Sequence, residues 1–463
     1  MGIINEEFVW HERNGKYLFI YPNVPYWLAV NEAGKRLLEL FHEFDDLEAI
    51  KTIYENKYNA ESYSINNAVN SLYSRLEEHY VLDKSKKPLA EWQGKIDTAG
   101  INMTKSCNLR CGYCYADAGE NNTCENEIGF DEIKKYLDGI KEFCTDNCFI
   151  QFTGGEPLLR KDLLFKSIRY VREIGLPKIT VNTNGILLDD KIAEFFVENK
   201  VDNVTISLDS VNNELHDKFR GKGSFQEAKK AIKILKEHGL RVTASITVHK
   251  DNFNVLQEFI NYCKNEKIEV FTSPLFPTGR CKENAELTCV KLDKMFAEIL
   301  KYYSKGLFSD RDLNGTFFQT IILPLRDLTK RHYCGAAMSS IFMDANGDIY
   351  PCTNTVGVNY FKGGNIREDS FKNIWIDSEG FRKVRNDISV DNIVPCNKCE
   401  VRYICAGFCR GVNYQATGKV HAPFIWCNEV KKSIIEGMWT IAEFPNVFKN
   451  SKDKFNANTY EVV

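Results

Sequence analysis

The sequence predicts an α/β protein built on a parallel sheet of six βα units, and three observations lead there. Between residues 98 and 305, short extended segments alternate with amphipathic helical ones. Residues 1–85 read as a small β-plus-helix module, and residues 330–440 change to short segments rich in glycine and cysteine. A strand–helix alternation sustained over six units implies a parallel sheet, curved or open, because parallel neighbours need a crossover and the helices supply it.

The N-terminal module opens with YLFIYP and YWLAV, which read as short alternating strands. EAGKRLLELFHEF and SINNAVNSLYSRLEEHY follow, where apolar residues recur at three and four as on one face of a helix. DKSKKPLAEWQGK is charged and carries a proline, the composition of a linker. The six units are INMTKS with FDEIKKYLDGIKEF, FIQFTGG with LLFKSIRYVREIG, KITVNTNG with DKIAEFFVEN, NVTISLDS with SFQEAKKAIKILKEHG, RVTASITVH with NVLQEFINYCKN, and EVFTSPLF with KLDKMFAEILKYY. In such sheets ligands gather at the carboxyl ends of the strands. A cysteine trio follows the first strand, GGEP the second, TNG the third and SLDS the fourth, so four separated segments are expected to converge on one pocket.

At 463 residues and 43% hydrophobic, the chain is long enough for two or three domains with substantial cores. A net charge of −3 gives no reason to invoke nucleic acid or an anionic membrane. There is no apolar run of about 18 residues, and MGIINEEFVWHERNGK has neither a basic start with a long apolar stretch nor a cleavage site, so a cytoplasmic protein is expected. Sixteen cysteines in a large cytoplasmic chain point to metal or redox chemistry rather than disulfides.

KSCNLRCGYCYADAG carries Cys107, Cys111 and Cys114. A structural zinc takes four ligands and a protein-held Fe–S cluster four thiolates, so a trio either borrows a distant residue or leaves a position empty. The spacing resembles the CxxxCxxC loop of the radical S-adenosylmethionine (radical SAM) enzymes. There three thiolates hold a [4Fe–4S] cluster, and the amino and carboxylate groups of S-adenosylmethionine chelate the fourth iron. The resemblance implies that Tyr113, the aromatic residue before the third cysteine, lies against the adenine; Tyr115 either shares that contact or simply packs. Gly154, Gly155 and Glu156, followed by Pro157, match the family's GGE segment, where glycines let backbone polar groups approach the methionine amino group. Ser207 and Asp209 resemble the ribose-contacting segment, and Arg220 matches an arginine near the cofactor carboxylate, a partner its donors suit bidentately. A helix-capping aspartate and a solvated loop arginine are the plain alternatives. Asn184 either contacts ligand or forms an Asn-Gly turn.

Toward the C-terminus, Cys334, then Gly347 and Cys352, then Cys396, Cys399, Cys405 and Cys409, and finally Cys427, resemble the SPASM extension of radical SAM proteins, which holds two auxiliary Fe–S clusters. A zinc ribbon on Cys396 and Cys399 is the alternative. By the resemblance, Cys396, Cys399, Cys405 and Cys427 close an outer cluster while Cys334, Cys352 and Cys409 hold an inner one, giving three [4Fe–4S] clusters in all. The inner cluster lacks a fourth cysteine; Cys281 and Cys289 are the nearest upstream candidates, and an open iron site is expected. Cys124, Cys144, Cys148 and Cys263 show no metal spacing and read as buried small residues.

The N-terminal module resembles the winged-helix-like peptide-recognition element of ribosomal-peptide maturases, in which a leader peptide adds a strand to a sheet edge. The whole is therefore similar to a partial (β/α)6 TIM-type barrel flanked by that module and a SPASM domain. This implies hydrogen-atom abstraction from a precursor peptide, with an external electron donor such as flavodoxin or ferredoxin. The open inner cluster favours a thioether crosslink; carbon–carbon crosslinking is the alternative. Thr353 stands where sulfatase maturases carry an aspartate, which argues against their oxidation chemistry. A non-radical Fe–S redox protein is the alternative from a different class.

Overall fold

The structure, a computed structural model, describes residues 2–58, 62–83, 85, 92–119, 126–284, 288–305, 313–328, 331–332, 334–444 and 459–460. Most of the expected linker, and Cys124, lie outside the described residues.

The chain opens with an antiparallel meander, β1 (Val9–Arg13), β2 (Lys16–Tyr21) and β3 (Tyr26–Val30). Asn14 and Gly15, both at positive φ, make the two-residue turn between β1 and β2. Three helices follow: α1 (Glu32–Glu43), α2 (Leu47–Tyr58) and α3 (Ser62–Glu78). Asn31 starts α1 by accepting from Gly34 N at 2.9 Å. The strands do not alternate as expected: Leu18 to Tyr21 and all of β3 are buried. Helix α1 packs on β2 and β3, and the helix Cys427–Glu443 also packs on β3, so neither face of the central strands meets water. Trp27 is fully buried and donates Nε1–H to Leu325 O at 3.3 Å. Arg13 pairs with Glu436 and lies 5.0 Å from the Trp439 ring centroid, while His11 meets Glu400 at 3.1 Å. In this sheet β14 (Thr459–Tyr460) joins β3 in parallel, which leaves β1, with exposed Val9 and Trp10, at the edge.

The second sheet carries the six expected strands in chain order: β4 (Ile96–Asn102), β5 (Cys144–Thr153), β6 (Lys178–Thr183), β7 (Asn203–Ser207), β8 (Val242–Val248) and β9 (Glu269–Pro274), all parallel. β4 begins ahead of the expected INMTKS stretch. The helices α4 (Phe130–Phe143), α5 (Lys161–Glu173), α6 (Asp190–Glu198), α7 (Asn213–Arg220) and α8 (Ser224–Glu237) fall within the crossovers, and Leu256–Asn265 and Leu292–Ser304 complete the series. This is the expected partial barrel. Ile179, Val181, Val204, Ile206, Ala244 and Ile246 are fully buried on one face of the sheet. Their neighbours Thr180, Asn182, Thr205, Ser207, Ser245 and Thr247 point the other way, half-buried and polar, the face left for ligand.

The sheet is longer than the sequence predicts. A short β10 (Leu313–Gly315) extends it past β9, and β11 (Ser340–Met343), β12 (Asp348–Tyr350) and β13 (Gly364–Asn365) extend it past β4. β11 runs parallel to β4, with Ser340 opposite Thr98 and Met343 opposite Ile101, so barrel and cysteine-rich region share one sheet. A Cβ on Gly100 would lie 1.8 Å from the Phe342 ring, which is why a glycine occupies the middle of β4.

Trp27 is placed between the N-terminal module and the rest of the chain. Trp27→Ala is expected to lower stability by about 3–5 kcal/mol, read as a fall in the denaturation midpoint of the intact chain.

Candidate functional site

After β4 the chain enters a stretch that forms neither helix nor strand, apart from a bridge between Ser106 and Gly119. Cys107, Cys111 and Cys114 lie on it. Its own backbone bonds are few: Cys114 N to Cys111 O at 3.3 Å and Asp117 N to Cys114 O at 3.2 Å. The surroundings hold it. Gly155 N donates to Thr104 O at 2.7 Å and Glu156 N to Ser106 O at 2.9 Å. A Cβ on Gly155 would stand 1.9 Å from Ser106 O, and Gly154 has φ +132°, so both glycines are required by this close approach.

Glu156 is fully buried and ties three segments together. It accepts from Thr183 Oγ1 at 2.7 Å, Leu158 N at 3.1 Å and Asn184 N at 2.8 Å. Burial pushes its carboxyl up to about 7, against the pull of these three donors. Asn184 donates Nδ2–H to Asn108 Oδ1 at 2.7 Å and lies 3.8 Å from Cys107 Sγ. It also makes the expected turn, accepting from Ile186 N at 3.0 Å.

On the other side, Asp209 accepts from Arg220 Nε at 2.6 Å and Nη2 at 3.1 Å, from Thr247 N at 3.0 Å and from the Tyr113 hydroxyl. Burial opposes the carboxylate's charge, and the guanidinium overcomes it, holding Asp209 below the usual carboxylate range. This buried pair is neither a helix cap nor a solvated loop contact. Arg220 Nη1 makes no hydrogen bond to a described residue, and the guanidinium feels the Cys111 and Cys114 sulfurs. The Tyr113 ring packs with Leu275 and Cys281; Tyr115 leaves 42% of its surface exposed. Ser207 stands at the end of β7, opposite Ser245. The four strand-end motifs therefore meet at one place.

Several supporting residues escaped sequence reasoning. Thr247 and His216, whose Nδ1 accepts from Asp209 N at 3.1 Å, sit among ordinary strand or helix residues and gave no signal, and Thr183 opens the TNG segment without itself being singled out. Arg280 gave only the Gly-Arg pair after a proline. Its backbone N–H donates to Cys114 O at 3.1 Å, Nε to Asp117 Oδ1 at 2.6 Å, and Nη1 and Nη2 to the carbonyls of Cys111 and Ala118.

The remaining cysteines fall into separate groups. Cys334 and Cys352 flank the β11–β12 hairpin, where Ser340 Oγ is 3.0 Å from Gly335 O and 2.8 Å from Pro351 O. Cys409 joins them, its Sγ accepting from Asn354 Nδ2 at 3.4 Å. The sulfurs of Cys409 and Cys334 add to the upward push of burial on the Cys352 thiol, and that of Cys334 to the push on Cys409. Those of Cys396, Cys399, Cys405 and Cys427 form a second such group. Burial pushes Cys352 and Cys405 up to about 12, and Cys107, Cys396 and Cys409 to about 11. Cys281 and Cys289 instead hydrogen-bond each other beside Tyr113. Among the described residues, no fourth cysteine is grouped with the inner three. Cys148 and Cys263 are buried, as expected, while Cys144 is half-buried.

The donor chemistry fits [4Fe–4S] clusters: two sets of three thiols and one of four, none in a disulfide. Among the described residues no three His, Cys, Asp or Glu side chains are gathered for one metal ion. Cluster thiolates bind different irons and need no such convergence.

Comparisons with known proteins match both halves of this arrangement. The radical SAM superfamily matches residues 101–263, and the iron–sulfur cluster-binding SPASM domain matches residues 334–400. An AdoMet-dependent heme synthase of Oleidesulfovibrio alaskensis is 29% identical over 68% of this chain and 83% of its own. The mycofactocin maturase MftC of Mycolicibacterium smegmatis is 26% identical over 67% of this chain and 78% of its own. The structure of Streptococcus suis SuiB bound to precursor peptide SuiA shares the fold, with a TM-score of 0.59 at 17% identity over 92% of this chain and 100% of that one.

Glu156→Gln leaves one acceptor oxygen for three donors and is expected to cost about 1–3 kcal/mol in the iron-free chain. Glu156 keeps its proton to higher pH when folded, so wild-type stability is favoured on the acid side and falls as pH rises through about 7. The variant lacks that fall. Its deficit in chemical denaturation should therefore shrink between about pH 5 and about pH 8.

Proposed function

Since the chain is a radical SAM enzyme with a SPASM domain, using S-adenosylmethionine and [4Fe–4S] clusters, we propose that it modifies a ribosomally made precursor peptide and forms a sulfur-to-carbon thioether within it. Three cysteines grouped at the inner auxiliary site, with no fourth among the described residues, carry the reading. A peptide thiolate suits the remaining iron position, because iron favours soft sulfur and binding keeps it deprotonated.

Bound together, cluster and S-adenosylmethionine would supply the one-electron chemistry that removes a hydrogen atom from the substrate carbon, and an auxiliary cluster would accept the second electron released when the deprotonated peptide sulfur bonds to that carbon. The protein's part is placement. Cys107, Cys111 and Cys114 hold the first cluster, and Arg220 Nη1 is the donor left for the cofactor carboxylate. Asp209 orients Arg220 and Tyr113; its own carboxylate is taken up by protein donors, so a direct ribose contact falls to Ser207. Glu156 and Asn184 fix the loop rather than the ligand, and the carbonyls of Gly154 and Gly155 remain for the methionine amino group.

Cys334 and Cys352 lie at the hairpin end level with Thr98, whereas the cysteine loop leaves from Asn102 at the opposite end of β4. At a rise of about 3.3 Å per residue, those levels are about 13 Å apart along the strand. The N-terminal module supports a peptide substrate, since the peptide-bound SuiB structure matches this chain over 92% of its length.

A tetrapyrrole substrate is the second reading, favoured by similarity to the heme synthase. Optical titration with coproporphyrin separates the two: binding with turnover would displace the peptide reading.

Replacing Cys107, Cys111 and Cys114 together with alanine should lower iron from about twelve to about eight per chain and abolish cleavage of S-adenosylmethionine. Retained cleavage would sink the radical mechanism. The product of a short cysteine-rich reading frame beside this gene should perturb the auxiliary-cluster spectrum, and its Cys→Ser form should not.

A further inference from the structure

Arg410 is among the largest fully buried side chains, 1% exposed. A buried guanidinium normally has a carboxylate, because an isolated charge in a protein interior is costly. Arg410 has none: no ion pair joins it to an acidic side chain of the described residues, and its hydrogen bonds go to backbone carbonyls. Nη1 donates to Val420 O at 3.2 Å and Ala422 O at 2.7 Å, and Nη2 to Gly407 O. Nε–H is buried without a partner. Since arginine stays protonated, the charge persists.

Cysteines of both groups lie beside it along the chain and in the packing. Arg410 follows Cys409 of the inner group directly; on the outer side its Nη2 grips the carbonyl of Gly407, two residues after Cys405, and a Cβ on Gly407 would stand 3.3 Å from Arg410 Nε and 3.4 Å from Val390, which packs with Cys396. The side chain therefore lies within electrostatic reach of both auxiliary sites. A four-iron cluster held by thiolates is anionic, and hydrogen bonds to its sulfurs and nearby charge set its reduction potential.

We propose that Arg410 is the shared counter-charge of the two auxiliary clusters: a buried guanidinium with no carboxylate of its own, whose spare Nε–H is available to cluster sulfur. The inference rests on the assignment of the seven SPASM cysteines to two clusters. Reduction adds negative charge beside a fixed positive one, so Arg410 raises both auxiliary potentials. It acts through the clusters and is a positioning and tuning residue, not a catalytic one.

The test uses the full chain, reconstituted anaerobically, as wild type, Arg410→Gln and Arg410→Lys. Iron content, potentiometric titration followed by electron paramagnetic resonance, and melting of the iron-free chain are measured. In Arg410→Gln the auxiliary midpoint potentials should fall while that of the first cluster stays in place, and Arg410→Lys should restore them in part. Loss of auxiliary iron alone, with iron-free melting unchanged, equally supports the role. Unmoved potentials at full iron overturn it, as does an iron-free chain weakened enough by the substitution to explain the loss. A wild-type chain holding only about four irons would instead remove the cluster assignment itself, a failure visible before any substitution is made.

Discussion

The arrangement depends on giving fixed positions to three sulfurs carried by a loop with almost no structure of its own. Residues 107–118 form neither helix nor strand, so their order comes from outside. On one side Asp209 joins the loop to β7, α7 and β8 through Tyr113, Arg220 and Thr247. On the other, Arg280 occupies the carbonyls of Cys111 and Ala118 and the carboxylate of Asp117. Both charged groups are taken from water, which is tolerable because their hydrogen-bonding capacity is largely met. A partly satisfied network at the same place would destabilise the loop it now steadies.

The same economy governs the larger architecture. β4 carries the cysteine loop at one end and pairs with β11 along its edge, so one strand sets the relation between the first site and the inner auxiliary site. Gly100 is needed because Phe342 packs directly on its backbone. The N-terminal sheet rests on the helix Cys427–Glu443, which begins at an outer-site cysteine. Peptide recognition at that sheet would therefore act on a body continuous with the auxiliary sites rather than on a loosely tethered module.

Much of this was legible in the residues. Helical periodicity and β-rich stretches located the six units, and the resemblance to radical SAM and SPASM proteins supplied the expected grouping of the cysteines. What escaped was set by tertiary contact. The run Leu18-Phe19-Ile20-Tyr21 is continuous rather than alternating, the mark of a strand buried on both faces, yet its short length allowed the other reading. β10 to β13 are too short to show a period. Arg280 lies far from the cysteines in sequence and acts on backbone carbonyls, which carry no side-chain signature to pair it with.

The treatment of charge separates the two ends of the molecule. Near the first site Arg220 is neutralised by Asp209, so only one of its terminal nitrogens is left over, and its contribution there is direction more than charge. In the cysteine-rich region Arg410 has carbonyl partners alone, which fix its position while leaving its charge uncancelled. A group that must orient a zwitterionic cofactor benefits from a rigid acidic partner. A group that faces an anionic cluster would lose its effect if a carboxylate shared the space. Under the proposed roles, the presence of Asp209 beside one arginine and the lack of any described counterpart beside the other match what each arginine would face.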